Sequence, residues 1–385
     1  MTRDWQLKHS SFKAIDALFE ADAFDASAKD HFFVPAMREA FQYHYDNSRE
    51  FKGHADLASF KADQIKTLTD VENIPWIFIQ NFKDAELLSI PKEKVFLTLT
   101  SSGTGGSKTR LFLDELSLNR IEVAAYKVYR DMGAVSLEAP ASNALLFTYD
   151  IERMPNLGTA WTDELIAQMS PCLEKAFLIR ADDDGSFYFD LELALKKYEK
   201  FVRSGKPLRI LGFPAFISEM LYEIQLRGNL PRLSSEAAKH SWVLTGGGWK
   251  NHKGVQIPKA EFAKFIEKMT AIPAVNVRDL FGMSEHGVGY LDCEHGRLHV
   301  PTYAHAVTRD PFTLKTLPLG APGLLHLYSP LLQSYPSISL LTTDEARLDP
   351  SPCACGRQGV GLEIVGRVGL KNYEGCALKA LEYLR

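Results

Sequence analysis

Strands and helices alternate between residues 143 and 280, and this alternation restricts the fold more than any other feature of the sequence. Short apolar segments predict strands at 144–148, 176–179, 208–211, 241–245 and 274–280. Apolar residues at three- and four-residue intervals predict helices between them, at 161–169, 191–202, 215–227 and 259–270. Strands that alternate with helices of these lengths form parallel sheets. We therefore predict an α/β fold whose ligands bind where the strands end.

The segments on either side follow different patterns. Residues 1–90 have helix-like apolar spacing and are predicted to cover one side of a sheet. After residue 287 we predict an antiparallel or barrel-like β subdomain with short strands at 297–300, 304–308, 323–328 and 338–342. We then expect a loop at 344–356, a strand at 362–365 and a short helix from residue 377.

Composition and charge narrow the class of protein. The 385 residues are 45% hydrophobic and carry a net charge of −4 without any block of like charges, so we expect small-molecule or protein partners and no nucleic acid. The N-terminus lacks the apolar core of a signal peptide, and no apolar run approaches the about 18 residues of a membrane span. Five scattered cysteines do not suggest a disulfide framework. We therefore predict a cytoplasmic protein with reduced thiols.

Residues 98–110, TLTSSGTGGSKTR, form a distinctive loop. An apolar strand at 95–99 leads into glycines, serines and threonines, and a helix is predicted at 114–130. This order is the usual context of a phosphate-binding loop, because unpaired backbone N–H groups and hydroxyls can surround an anion. The stretch is not a Walker A motif, in which glycine precedes the lysine, since Lys108 follows Ser107. A P-loop nucleoside triphosphatase is therefore disfavoured.

The hexapeptide Ser101-Ser102-Gly103-Thr104-Gly105-Gly106 resembles the phosphate loop of the adenylate-forming superfamily. The stretch is one residue shorter afterwards and lacks the usual proline, so either Lys108 or Thr109 takes the place of the family's lysine. Further segments resemble the superfamily's motifs in the same order: Thr245-Gly246-Gly247-Gly248, Phe281-Gly282-Met283-Ser284-Glu285, Thr343-Asp344, and Gly366-Arg367 with Lys371. Each alone also fits an ordinary turn or surface residue, but five in this order favour the superfamily.

The resemblance implies the superfamily's large-domain fold, with stacked α/β sheets and a small β-barrel-like subdomain. It implies an ATP site in which residues 101–106 hold the β- and γ-phosphates and residues 245–248 lie on the adenine side. Phe281 would lie against adenine, next to Gly282 and Ser284. Glu285 would bind Mg²⁺, and Asp344 would contact the ribose. Lys108 would add a positive charge, and Arg367 would lie at the hinge.

The C-terminus distinguishes branches of the superfamily. Most members continue beyond the hinge arginine into a small domain with a catalytic lysine, whereas 18 residues follow Arg367 here, so we expect that domain to be largely absent. Length, truncation and Cys376 resemble the LuxE family of acyl-protein synthetases, in which a C-terminal cysteine accepts the acyl group and passes it to a reductase. A cysteine that opens a helix gains thiolate character. Cys376 also fits a buried apolar position in the tail.

Two further groups of residues are candidates for ligand sites. The first is a candidate structural zinc site formed by Cys293, His295, Cys353 and Cys355, because these residues have the short spacings typical of zinc ligands. His299 lies nearby in the sequence, and the alternative is that the cysteines are reduced free thiols. The residues predicted to border the acyl pocket are Gly212, Phe213 and Pro214, with Phe147 and Phe216 as lining. We accordingly predict a helical lead-in at 1–90, a nucleotide- and acyl-binding region at 91–290, a β-rich subdomain at 291–365, and a hinge with a short arm at 366–385.

Three functions fit these patterns. The first is an acyl-protein synthetase, which uses ATP and Mg²⁺ to adenylate a fatty acid and transfers the acyl group to its own Cys376, for delivery to a reductase-type partner. The second is a phenylacetate-CoA-ligase-like or stand-alone adenylating enzyme. The third is a non-catalytic scaffold that binds an acyl group or a nucleotide. The expected truncation argues against CoA as the acceptor and favours the first.

Overall fold

A computed structural model describes residues 5–100, 109–181, 187–249 and 256–367, apart from the side chains of residues 181 and 367. Within these ranges the α-helices are α1 (Lys13–Leu18), α2 (Val34–Asn47), α3 (Arg49–Leu57), α4 (Leu68–Glu72), α5 (Asn81–Asp84), α6 (Glu115–Asp131), α7 (Gly158–Gln168), α8 (Leu191–Arg203), α9 (Pro214–Arg227), α10 (Ser235–Lys239) and α11 (Lys259–Thr270). The strands are β1 (Ile77–Phe78), β2 (Leu97–Thr100), β3 (Arg110–Leu113), β4 (Ser142–Tyr149), β5 (Cys172–Ala181), β6 (Phe187–Phe189), β7 (Leu208–Gly212), β8 (Trp242–Gly246), β9 (Val277–Phe281), β10 (Tyr290–Leu291), β11 (Leu298–His299), β12 (His305–Arg309), β13 (Gly323–Tyr328), β14 (Ser339–Asp349) and β15 (Gly361–Arg367).

Two compact units divide the described chain. Unit 1 contains the described residues of 129–281 and 291–296, and unit 2 contains those of 5–128, 282–290 and 297–367. None of the described helices combines the length and the apolar character needed to cross a membrane.

Unit 1 contains the predicted parallel sheet. Its strands lie in the order β9-β8-β7-β4-β5-β6, and all neighbours are parallel except the β5–β6 pair. Every residue of β7 is buried, as expected for a central strand covered on both faces. The four predicted helices are present as α7, α8, α9 and α11, and residues of α8, α9 and α11 join the sheet in one hydrophobic core. The predicted α/β fold is therefore confirmed.

Unit 2 contains an antiparallel sheet in the order β11-β15-β14-β13-β12, and the short strand β1 adds to β14 in parallel. The predicted strands after residue 287 are thus confirmed, but the predicted loop at 344–356 is wrong at its start. Strand β14 continues to Asp349, because Ala346 and Leu348 alternate into the core and pair with β15. Asp344 consequently lies inside a strand.

The predicted strand, loop and helix around residues 98–110 also require a correction. Residues Arg110–Leu113 form strand β3, which pairs antiparallel with β2 before α6 begins. The reason is the alternation in this short segment, since Leu111 and Leu113 are buried while Arg110 is exposed. The helical spacing predicted for residues 1–90 is confirmed by α1 to α5, where Met37 and Phe41 bury one face of α2.

Candidate functional site

Three neighbouring strands of unit 1 end side by side and carry predicted site residues. The register pairs Gly212 of β7 with Thr245 of β8, and Gly246 of β8 with Leu280 of β9. Phe281 is the last residue of β9. The segments predicted to border the acyl pocket and the adenine therefore lie at one edge of one sheet, where open α/β sheets bind ligands.

Two glycines at this edge allow close approach that no side chain would permit. Gly212 has a φ of +125°, and a Cβ there would lie 2.4 Å from the carbonyl oxygen of Phe147. Gly247 has a φ of +73°, and a Cβ there would lie 2.7 Å from Cε1 of Phe213. The Phe213 ring thus lies directly against the glycine segment. In unit 1 the predicted acyl-side residue and the predicted nucleotide-side residue are in contact.

Phe213 begins a chain of aromatic rings. The ring centroids of Phe213 and Phe216 are 6.1 Å apart, those of Phe216 and Phe189 are 5.1 Å apart, and those of Phe189 and Phe147 are 5.6 Å apart. We call these four residues the aromatic cluster. Phe147 is fully buried, whereas the other three are half-buried. Such a surface suits an apolar ligand, because burial of apolar area provides the favourable free energy.

Asp279 of β9 was missed by sequence reasoning. Its carboxylate accepts a hydrogen bond from Oγ1 of Thr245 at 2.9 Å, so it lies beside the predicted adenine-side segment. Burial raises the pKa of Asp279, Lys259 opposes this increase, and Asp292 adds to it. Lys259 forms an ion pair with Asp292, which accepts a 2.9 Å hydrogen bond from the Asp279 backbone N–H. The available signal is a pair of charged residues, Arg278 and Asp279, inside a predicted strand.

Glu285 lies in unit 2, in the turn that follows β9 along the chain, and its side chain is 8% exposed. The backbone N–H groups of His286 and Gly287 both donate to the carbonyl oxygen of Met283, at 3.1 and 3.2 Å. Burial lowers the pKa of His286 to about 3, and its Nε2 lies 2.8 Å from the Tyr290 hydroxyl. The turn therefore presents a nearly buried carboxylate on an ordered backbone.

Asp344 and Arg367 are brought together by strand pairing. They are direct partners in the antiparallel ladder of β14 and β15, and Gly366 faces Glu345. Asp344 is 6% exposed, and its backbone N–H donates to Thr342 Oγ1 at 3.1 Å. Two residues predicted from separate motifs thus face each other on neighbouring strands of unit 2.

Several predicted catalytic and phosphate-binding residues lie outside the described residues, namely Ser101, Ser102, Gly103, Thr104, Gly105, Gly106, Lys108 and Cys376. The ends of the predicted phosphate loop are described, however, because Thr100 pairs with Arg110 in the β2–β3 hairpin. Residues 101–109 consequently connect two paired strands. Thr109, the alternative to Lys108, is 1% exposed.

Two cysteine thiols and one histidine imidazole form a cluster in unit 2. The ligand atoms of His299, Cys353 and Cys355 lie within 4.8 Å of one another, and Cys355 Sγ is 3.4 Å from His299 Nε2. Among the described residues, the histidine in this group is His299 and not His295. Cys293, the other predicted ligand, belongs to unit 1 and is fully buried.

The fold has close structural relatives among adenylate-forming enzymes. A crystal structure of 2-hydroxyisobutyryl-CoA ligase in an open conformation, in complex with 2-HIB-AMP and CoA, superposes with a TM-score of 0.69 at 15% identity. The similarity covers 95% of this chain and 80% of that enzyme. At this identity the comparison establishes the fold, which is the predicted large-domain fold of the adenylate-forming superfamily.

Sequence comparison identifies the family. The long-chain-fatty-acid–luciferin-component ligase of Vibrio harveyi is 26% identical over 351 residues, which are 89% of this chain and 85% of that ligase. The ligase of the same description from Aliivibrio fischeri is 25% identical over 357 residues, 89% of this chain and 86% of that ligase. A family model described as "Acyl-protein synthetase, LuxE" matches residues 3–384. The chain therefore belongs to the LuxE acyl-protein synthetase family.

Proposed function

We propose that this protein is an AMP-forming acyl-protein synthetase that activates a long-chain fatty acid with ATP and acylates its own Cys376. The observation that carries the proposal is the LuxE family match, which extends over residues 3–384 and so includes both the adenylation motifs and the terminal cysteine. The names of the two relatives support a long-chain fatty acid as the substrate. The aromatic cluster in unit 1 is consistent with an apolar acyl chain.

The chemistry divides into two steps. In the first, a carboxylate oxygen of the acid attacks the α-phosphorus of ATP, an acyl-adenylate forms, and pyrophosphate leaves. In the second, the Cys376 thiolate attacks the carbonyl carbon, a thioester forms, and AMP leaves with the electron pair of the broken C–O bond. A carboxylate alone is a poor electrophile, so the first step provides the leaving group that the second requires.

The residues of the chain bind and orient ATP for this attack. Hydroxyls and N–H groups of residues 101–106, with the ammonium of Lys108, would hold the β- and γ-phosphates as negative charge develops there. Thr245 and residues 246–248, with Phe281, Gly282 and Ser284, would hold the adenine side, while Asp344 would accept hydrogen bonds from the ribose hydroxyls. We propose that Arg367 acts at the hinge, next to Asp344, with which it pairs.

Mg²⁺ fits the residue proposed to bind it. Glu285 offers hard carboxylate oxygens on a nearly buried side chain, and Mg²⁺ is usually held by one or two carboxylates together with substrate phosphates. When bound, Mg²⁺ would neutralise phosphate charge.

We further propose structural zinc, held in unit 2 by His299, Cys353 and Cys355. Tetrahedral zinc, with bonds of about 2.3 Å to sulfur and about 2.0 Å to nitrogen, separates such ligand atoms by about 3.6 Å. The 3.4 Å between Cys355 Sγ and His299 Nε2 agrees with this value. Metal analysis of the purified protein tests the assignment. One equivalent of zinc that is lost in Cys355→Ser supports it, and a zinc-free protein purified from zinc-supplemented cells contradicts it.

The cell compartment and the acyl recipient complete the proposal. The described cysteines form no disulfide with one another, as expected in the reducing cytoplasm, where we place the protein. A thioester on a protein is a reactive acyl donor, so we propose that a reductase-type protein consumes it.

Pyrophosphate exchange tests the adenylation step. ATP, Mg²⁺ and a long-chain fatty acid are expected to support exchange of labelled pyrophosphate into ATP, and omission of the acid is expected to abolish it. Glu285→Gln should lose exchange, whereas Glu93→Gln, which alters an exposed carboxylate, should retain it. Exchange that is equally fast without acid, or unchanged in Glu285→Gln, contradicts the proposal. Formation of acyl-CoA from added CoA, with no acylated protein, would instead indicate a CoA ligase.

A further inference from the structure

Tyr335 connects the turn that carries Glu285 to a distant part of unit 2. Its side chain is 1% exposed, and its hydroxyl donates a 2.9 Å hydrogen bond to the carbonyl oxygen of Ser284. Ser284 directly precedes Glu285 in the chain. The Tyr335 ring is also fixed, because it packs edge-on against Phe82 with centroids 5.5 Å apart.

The backbone next to Tyr335 is anchored to the beginning of α6. Ser334 donates from Oγ to Asp114 Oδ1 at 3.0 Å, and its backbone N–H donates to Ser117 Oγ at 3.2 Å. Asp114 directly follows β3, the strand that leaves the predicted phosphate loop. A path of hydrogen bonds and adjacent backbone therefore runs from the far end of β3, the strand that leaves that loop, through Ser334 and Tyr335 to the turn of Glu285.

Burial raises the pKa of Tyr335, and the charge of Glu285 raises it further. The Tyr335 phenol consequently remains protonated and donates its hydrogen bond throughout the neutral range.

We propose that Tyr335 is a positioning residue for Mg²⁺ binding, which holds Glu285 at a fixed place relative to the strand that leaves the phosphate loop. The inference rests on the proposed role of Glu285. Tyr335 itself would touch neither ATP nor the metal. Without its hydroxyl, the Ser284 carbonyl loses its buried donor, and the turn that presents Glu285 is less well defined.

The variant Tyr335→Phe removes this hydroxyl and keeps the ring. Its matched control is Tyr198→Phe, since Tyr198 is fully buried in unit 1 and donates to the backbone carbonyl of Met269 at 3.5 Å. Binding of Mg²⁺ is measured by calorimetry in the presence of an ATP analogue with a methylene group between the α- and β-phosphorus atoms. Half-saturating Mg²⁺ for pyrophosphate exchange and the melting temperature are measured alongside.

Both variants are expected to melt at slightly lower temperature, but only Tyr335→Phe should weaken Mg²⁺ binding, by roughly five- to tenfold. Excess Mg²⁺ should restore its exchange rate. Unchanged Mg²⁺ affinity in Tyr335→Phe, or an equal loss in Tyr198→Phe, overturns the inference. A wild-type protein that binds Mg²⁺ with the analogue yet catalyses no exchange would contradict the proposed function, and the calorimetric comparison would still decide the role of Tyr335.

Discussion

The contact between Phe213 and Gly247 permits a sharp test of how the sheet edge in unit 1 is built. The change is Gly247→Ala. Its matched control is Gly248→Ala, because the two glycines have similar φ values of +73° and +67° but different surroundings. A Cβ at position 247 would lie 2.7 Å from Phe213 Cε1, whereas a Cβ at position 248 would meet nothing within 4 Å.

The expected magnitudes follow from these surroundings. Alanine in a left-handed conformation costs about 1–2 kcal/mol, partly offset by the reduced freedom of the unfolded chain, so Gly248→Ala should lose about 1 kcal/mol of unfolding free energy. Gly247→Ala carries the same backbone cost. It must also displace the Phe213 ring, and such overpacking typically costs a further 1–3 kcal/mol. We therefore expect a loss of about 2–4 kcal/mol.

Urea denaturation at equilibrium measures both losses, and adding Phe213→Leu to each glycine variant completes a double-mutant cycle. A smaller side chain at 213 should recover much of the extra loss in Gly247→Ala and none of the loss in Gly248→Ala. Equal losses in the two single variants, or no coupling between positions 213 and 247, would refute the contact and with it the arrangement of the sheet edge.

Three further predictions concern stability and specificity. Burial lowers the pKa of His44 to about 4, so on acidification the unfolded chain binds a proton before the folded chain does, and stability falls as the pH drops from about 6.5 to about 4. In urea titrations at several pH values, His44→Gln should reduce the slope of unfolding free energy against pH by up to about 1.4 kcal/mol per pH unit. Asp114 accepts from the Ser117 backbone N–H at 3.0 Å near the start of α6, and Asp114→Ala should cost about 1–2 kcal/mol in the same assay. Phe189→Ala should raise the KM for a long-chain acid about tenfold, measured by pyrophosphate exchange, and leave the KM for ATP unchanged.

Each of these predictions has a contrary result. Identical pH slopes for the wild type and the His44 variant would mean that this ring does not remain neutral in the folded protein. Full stability of the Asp114 variant would mean that the Ser117 N–H finds another acceptor. Equal changes in both KM values for the Phe189 variant would indicate a general loss of structure rather than loss of acyl contacts.

Local patterns in the sequence were sufficient for the elements whose burial is simple. The central strands β4 and β7 are buried along almost their whole length because both faces are covered, and the helices that follow the strands carry regular apolar spacing. Strand β3 was missed because it has only four residues and follows directly after a polar loop. The sequence predicts a loop at Asp344 because β14 has polar residues along its second half, where pairing with β15 maintains the strand.

Contacts between distant positions could not be predicted from local patterns. Tyr335 reaches the carbonyl of Ser284, 51 residues earlier, and no local signal marks this pair. The choice between His295 and His299 depended on pairing as well, since β11 aligns His299 with Gly361 of β15. The position of Thr245 and Phe281 at strand ends could be predicted, because those ends are visible in the sequence as glycine after an apolar run.

The central claim, that one chain both activates and carries the acyl group, is tested most directly by locating the thioester. The protein is incubated with ATP, Mg²⁺ and a labelled long-chain fatty acid, denatured, digested and analysed by mass spectrometry. Cys172 provides the control thiol, because burial raises its pKa and makes it a poor nucleophile. We predict one hydroxylamine-labile acyl group on the Cys376 peptide, which persists in Cys172→Ala and disappears in Cys376→Ala while pyrophosphate exchange continues. Stable acylation of Cys376→Ala would contradict the account.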